Sequence, residues 1–241
     1  MRDSLRVLER EIIACERCPR LRDWCRTVAE VKRKAYREEE YWGRPVPGFG
    51  DPEARLLILG LAPGAHGANR TGRVFTGDSS GDFLFRALYQ AGFASQPSSR
   101  NRNDVLVLQD AWVTAAVRCA PPDNKPAPDE IRACQPYFER EFRLLKNTRV
   151  VVALGRLAFE TILTIAAVRK SDYEFAHDRL HHLGSGWPQL ISSYHPSQQN
   201  TQTGRLTEPM FLSVFQRAGK LMDLAAPVTA VASGTSGKRA V

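Results

Sequence analysis

The chain has 241 residues, 43% of them hydrophobic, which suffices for one sizeable core with appendages. No apolar run is long enough to span a membrane and the N-terminus starts no secretory signal, so the cytosol is the expected compartment. A formal charge of +8, from 34 basic and 26 acidic residues, excludes a histone-like surface but leans towards polyanionic partners such as nucleic acid.

In chain order, Ser4 to Ala14 reads as an amphipathic helix, with Leu5, Leu8 and Ile12 on one face. It delivers Cys15 and Cys18. The charged stretch that follows, centred on residues 27–44, reads as a partly helical surface insertion carrying Lys32-Arg33-Lys34 and Arg37-Glu38-Glu39-Glu40, closed by Pro45, Pro47 and Gly48. Its basic run is read as a solvated face, with phosphate contact the weaker alternative. Leu56 to Leu61 is an apolar, strand-like run that breaks into a polar, glycine-rich loop with Pro63, Gly64, His66, Gly67, Asn69, Gly72 and Asp78. The loop is neither a Walker loop nor a dinucleotide fingerprint, because both signatures are absent.

Helix is expected from Asp82 to Ala91, loop from Gln96 to Asp104, and a short extended piece at Val105 to Val107. Ala111 to Val117 is a second buried strand. It runs into Arg118-Cys119-Ala120-Pro121-Pro122-Asp123-Asn124-Lys125-Pro126, whose prolines restrict the loop that presents Asn124. A helix from Asp129 to Lys146 carries Cys134. Arg149 to Leu154 is the third strand, followed by a helix from Arg156 to Ile165 and an irregular stretch from Lys170 to Asp178. Leu190 to Tyr194 is the fourth strand, entering His195-Pro196-Ser197-Gln198-Gln199-Asn200. Glu208 to Leu224 is the closing helix, and residues 225–241 have the composition of a disordered tail. Residues 1–224 are therefore read as one domain. Alternation of strand and helix implies an α/β fold with a mostly parallel sheet and helices on both faces, and the strands' carboxyl ends then gather three polar loops on one rim.

Five cysteines without an export signal argue against a disulfide framework. Cys15, Cys18, Cys119 and Cys134 suit one four-thiolate site, for which spacing alone does not choose between zinc and an iron–sulfur cluster. Cys25, in a helical pattern after Trp24, reads as core.

Taken together, Gly60-Leu61-Ala62-Pro63-Gly64, Asn69 to Asp78, Arg118 to Pro126, His195 to Asn200 and Thr203 to Thr207 resemble the iron–sulfur branch of the uracil-DNA glycosylase superfamily, most closely its fifth family, often called type B. The resemblance covers about residues 12 to 224. It implies a three-layer α/β/α fold with a central four-stranded parallel sheet, a [4Fe-4S] cluster on Cys15, Cys18, Cys119 and Cys134, and hydrolysis of the bond between a deaminated base and deoxyribose in double-stranded DNA. Leu61 and Ala115 stand where the related fourth family has an acidic residue and an asparagine, so the carboxylate falls to Asp78.

The chemistry assigns roles. Asp78 would face the positive charge developing on the sugar, with helix N-capping as the alternative reading, and His195 would donate to the departing base. An extruded base needs a stacking face, Phe75, and an edge reader, Asn124. Gly60, Ala62, Pro63, Gly64, His66 and Asn69 complete the expected base pocket. Ser197, Gln198, Gln199 and Asn200 suit phosphate contacts, and Arg205 with Leu206 is expected as a wedge into the duplex. No lysine in the motifs suggests a Schiff base, so simple hydrolysis to an abasic site by a monomer is expected, with hypoxanthine and xanthine as further substrates. A noncatalytic damaged-DNA-binding module and a zinc-stabilised nucleotide hydrolase are the competing readings.

Overall fold

The computed structural model describes residues 3–224, so the tail at residues 225–241 lies outside the described residues. Among the described residues, eight α-helices and six strands are formed: α1 (Leu5–Ile13), α2 (Pro19–Val31), β1 (Phe49–Gly50), β2 (Leu56–Gly60), α3 (Ala68–Thr71), α4 (Ser79–Gln90), β3 (Ala111–Ala115), α5 (Pro128–Leu144), β4 (Val150–Leu154), α6 (Arg156–Ile165), β5 (Arg179–His181), β6 (Gln189–Ser193), α7 (Gln198–Gln202) and α8 (Glu208–Leu224). Sheet order is β1-β3-β2-β4-β6-β5. The inner four strands are parallel and in the expected places. The two edges, β1 and β5, pair antiparallel and are absent from the sequence reading. Their lengths explain this, since two or three residues show no hydrophobic alternation.

The parallel strands are buried on both faces. Leu56, Ile58, Val113, Val150 and Val152 enter one core with Leu84, Phe85 and Leu88 of α4 and Phe211, Val214 and Phe215 of α8. The residues between them, Leu57, Leu59, Trp112, Val151 and Ala153, enter a second core with Phe138 of α5 and Phe159 and Ile162 of α6. A strand's period of two divides its side chains between two helix layers, which makes the three-layer α/β/α sandwich.

Three local expectations shift. Helix α4 begins at Ser79, ahead of the expected Asp82, because Asp78 caps it and accepts from the Gly81 N–H at 2.9 Å. Val105 and Val107 belong to no strand; they are exposed, and only an isolated bridge between Ala94 and Leu108 forms beside them. The charged stretch after Cys18 is ordered helix to Val31, with Cys25 fully buried as expected of a core residue. Among the described residues, no helix is long and apolar enough to cross a membrane.

Candidate active site

A cleft of about 780 Å³ opens at the carboxyl rim of the sheet. The loop after β2 contributes Leu61, Ala62, Gly64, Ala65, His66 and Gly67; the segment before α4 contributes Phe75, Gly77 and Asp78, and the first turn of α4 contributes Ser79 and Ser80. Asp123 and Asn124 come from the loop after β3, and His195, Ser197, Gln198 and Gln199 from the turn after β6. Two smaller cavities, about 300 and 520 Å³, hold none of the predicted site residues. The three loops thus meet in one place, as parallel strand ends dictate.

Asp78 sits at the centre through two local devices. As N-cap its backbone is extended, and one carboxylate oxygen takes the Gly81 N–H. The glycine loop then closes on the other oxygen. A Cβ on Gly67 would lie 1.9 Å from Asp78 Oδ2, and one on Gly64 would lie 2.9 Å from it. Only glycine lets this backbone approach a carboxylate so closely. Capping and cleft-lining are therefore compatible roles for Asp78. Burial raises its pKa, opposed by the Gly81 and Ser80 amides and by Arg70.

His195 follows β6, and its carbonyl takes a hydrogen bond from Asn200 Nδ2 at 2.9 Å, which fixes the turn. Its ring stacks on Phe75, with centroids 5.8 Å apart and planes 30° apart. Burial pushes its pKa down to about 4, so the imidazole is neutral near pH 7. Among the described residues its ring nitrogens make no hydrogen bond. Phe75, at φ 52°, lies over Gly60, where a Cβ would come within 2.6 Å of the ring. The phenyl group is largely buried, belonging to the core and lining the cleft as well. His66 lines the wall, Nδ1 3.1 Å from the Tyr41 hydroxyl, with its pKa lowered by burial and then by Arg33 and Arg70.

Several predicted residues sit elsewhere. Asn69 is fully buried; it donates to the carbonyls of Cys25 and Ala65 and joins α3 to α2 without reaching the cleft. Pro63 is buried and Gly60 supports Phe75, so neither lines the cleft wall. Leu206 is 1% exposed within the α4–α8 core and cannot serve as a wedge as placed. Its neighbour Arg205 is exposed and lies over the Tyr194 ring at 4.5 Å. Asn200 braces the His195 turn and does not line the cleft, whereas Ser197, Gln198 and Gln199 do. Conversely, Arg33 and Tyr36, from the supposed surface insertion, form part of the cleft wall. Nothing in their sequence surroundings separates them from an ordinary charged loop.

The four candidate thiols lie around one junction. Cys15 follows α1, Cys18 is the N-cap of α2, Cys119 follows β3 and Cys134 lies in the second turn of α5. The Cys18 thiol is pushed up to about 11 by burial, then by Cys134 and Cys15. Burial raises Cys134, with Cys15 adding to it, and its sulfur accepts from the Arg118 N–H at 3.4 Å. Cys119 is raised by its thiol contact with Cys25, then by burial. Among the described residues, no three His, Cys, Asp or Glu side chains are grouped so as to hold a single metal ion.

Residues 47–219 match the family model described as the uracil DNA glycosylase superfamily. A protein named type-5 uracil-DNA glycosylase from Thermus thermophilus is 55% identical over 213 residues, covering 88% of this chain and 96% of that one. One of the same name from Mycobacterium leprae is 48% identical over 225 residues, covering 92% and 97%. A type-4 uracil-DNA glycosylase from Archaeoglobus fulgidus is 27% identical over 207 residues, covering 81% and 82%. A family match across most of the sandwich, relatives aligned over nearly their whole length and a rim cleft built from the three motif loops lead to one statement: this chain belongs to the uracil-DNA glycosylase superfamily.

Proposed function

We propose that the protein hydrolyses the N-glycosidic bond of uracil, and of other deaminated bases such as hypoxanthine, in double-stranded DNA, leaving an abasic site. The relatives named type-5 uracil-DNA glycosylases support uracil as the first substrate. The observation that carries the chemistry is one carboxylate and one neutral imidazole on the same cleft, the first enclosed by Gly64 and Gly67 and the second stacked on Phe75.

As the glycosidic bond stretches, the sugar gains positive and the base negative charge. Ionised Asp78 stabilises the sugar cation and orients the attacking water, in a site where burial strengthens the interaction. His195, neutral and with unengaged ring nitrogens, donates an N–H to the base oxygen that receives charge. Its low pKa keeps a second positive charge away from the developing sugar cation. Phe75, in the cleft lining, is the aromatic group the extruded base packs against, and Asn124 lines the same cleft with amide groups for the base's edge. Ala115, buried at the carboxyl end of β3, offers no polar group, which fits tolerance of several bases.

Cys15, Cys18, Cys119 and Cys134 would hold a [4Fe-4S] cluster. An all-thiolate donor set around one junction fits such a group. When bound, the cluster supplies iron–thiolate bonds that tie α1, α2 and α5 to the loop bearing Asn124. The enzyme is read as a cytosolic, nucleoid-associated monomer.

The test is incubation with duplex DNA holding a single uracil, followed by alkali. Strand cleavage only after alkali is expected; an intact strand at enzyme excess overturns the reading. Loss of cleavage in Asp78→Asn would place the activity in this cleft.

A further inference from the structure

We propose that residues 33–36 form a backbone clamp for the nucleic acid, in which Arg33 contacts a phosphodiester next to the extruded nucleotide and Arg70 is the positioning residue that holds the clamp against the cleft. The inference rests on the DNA-glycosylase reading and adds a binding element from outside the three motif loops.

The clamp lies where a polyanion must pass. Arg33 and Tyr36 share the cleft wall with His66 and Asp78. The cleft also carries Asp123, so an approaching phosphate meets two carboxylates and needs a cation at the mouth. Arg33 supplies it. Its side chain is exposed, and among the described residues its guanidinium forms no ion pair or hydrogen bond. By contrast Arg70, Arg73 and Arg118 are buried and paired with Glu39, Asp104 and Glu141. The Arg33 charge is felt at the His66 imidazole, so it lies close to the chemistry and not merely on the same side of the molecule. A planar guanidinium presents a donor fork that fits phosphate oxygens.

The segment is also held in place. The Arg70 guanidinium lies 3.9 Å from the Tyr36 ring centroid and pairs with Glu39. From the same side chain, Nε donates to the His66 carbonyl at 2.8 Å and Nη2 to the Gly77 carbonyl at 2.7 Å. Gly77 immediately precedes Asp78. One buried arginine therefore ties the clamp, the glycine loop and the catalytic segment together. The insertion's far end is fixed as well, since the Trp42 N–H donates to the Arg70 carbonyl and the Gly43 N–H to that of Asn69. The Tyr41 hydroxyl bridges from the Arg33 N–H, 3.4 Å away, to His66. An ordinary solvated loop would have no use for so many ties to one cleft.

The test measures equilibrium binding of the full chain to a duplex carrying an uncleavable tetrahydrofuran abasic analogue, between 50 and 200 mM salt. Arg33→Gln is expected to raise Kd roughly tenfold and to reduce the salt slope by about one. Arg33→Lys should recover most of the slope. Arg169→Gln, which removes an exposed charge outside the cleft, should leave the slope unchanged. Tyr36→Leu, which detaches the clamp from Arg70, should raise Kd in the same direction as Arg33→Gln. An unchanged Kd and slope in Arg33→Gln, or an equal loss in Arg169→Gln, overturns the clamp. Uracil excision by the wild-type chain, run in parallel, separates this failure from failure of the glycosylase reading, because the salt slope judges the clamp whether or not the base is removed.

Discussion

Asp78 is under opposing demands. Burial raises its pKa and the Gly81 and Ser80 amides and Arg70 oppose that rise, while the proposed chemistry uses the ionised carboxylate. For an acid whose folded pKa lies above its unfolded value, the folded state prefers the proton, so ionisation at neutral pH costs stability. Asp78→Asn is therefore expected to raise Tm at pH 7, since asparagine caps a helix equally well, while lowering the single-turnover excision rate at least ~10²-fold. Thermal melts and a quenched-flow assay on the same preparation check both halves. The acid limb of the wild-type pH–rate profile should lie above the ordinary carboxylate value of 3.8 and should belong to Asp78. His195 is neutral down to about pH 4 and adds no limb above that. It contributes instead to stability: its folded pKa is lowered from 6.5, so stability is lost as pH falls from about 6.5 towards 4, where the unfolded state takes up the proton. A Cβ at Gly67 would occupy the carboxylate's own space. Gly67→Ala should cost roughly 10²-fold in excision rate with little change in DNA affinity, because displacement of a reacting group by about 1 Å is enough.

At the scale of elements, the turn between α7 and α8 shows how one motif can divide between site and core. The Leu206 N–H donates to the Asn200 carbonyl, Asn200 holds the His195 carbonyl, and the Leu206 side chain enters the core beside α8. Leu206→Ala is expected to destabilise the protein by roughly 2–5 kcal/mol, as loss of a core leucine does, measured by denaturant unfolding. A wedge residue would leave stability unchanged and alter only DNA binding. The cysteine junction belongs to the same scale. On the proposed cluster reading, Ser substitution of Cys15 or Cys134 should abolish iron binding and lower Tm, because either change removes a thiolate at the junction between α1, α2 and α5. On the same reading, Cys25→Ser, at a buried position of α2, should leave iron binding intact, as judged by the visible absorption of the purified protein.

For the whole molecule, the two cores fix the sandwich and the sandwich fixes the rim. The buried Arg118–Glu141 pair joins the end of β3 to α5, with Thr114 and Glu141 oxygens accepting from the guanidinium. Glu141→Gln would leave the guanidinium only partly matched in the interior, at a cost of about 3–5 kcal/mol in unfolding free energy. What the chain alone made legible were its long periodic or continuously apolar pieces. Residues 56–61, 111–117, 149–154 and 190–194 announced the four parallel strands, and the helices between them followed from a 3.6-residue period, because burial on both sheet faces leaves a strong local pattern. The loops with Asp78, Asn124 and His195 were legible because parallel strands must end on one edge. The edge strands β1 and β5 were not, being too short to carry a period. Nor was the division of labour within motifs: Asn69 and Leu206 turned inward while Arg33 and Tyr36, in a stretch resembling any solvated charged loop, reached the cleft. Such assignments depend on which side chain finds a partner across tens of residues, as Arg70 does with Tyr36, Glu39 and Gly77. Local sequence constrains periodicity and turn chemistry; only the packed chain decides which polar groups are satisfied inside and which are left facing the substrate.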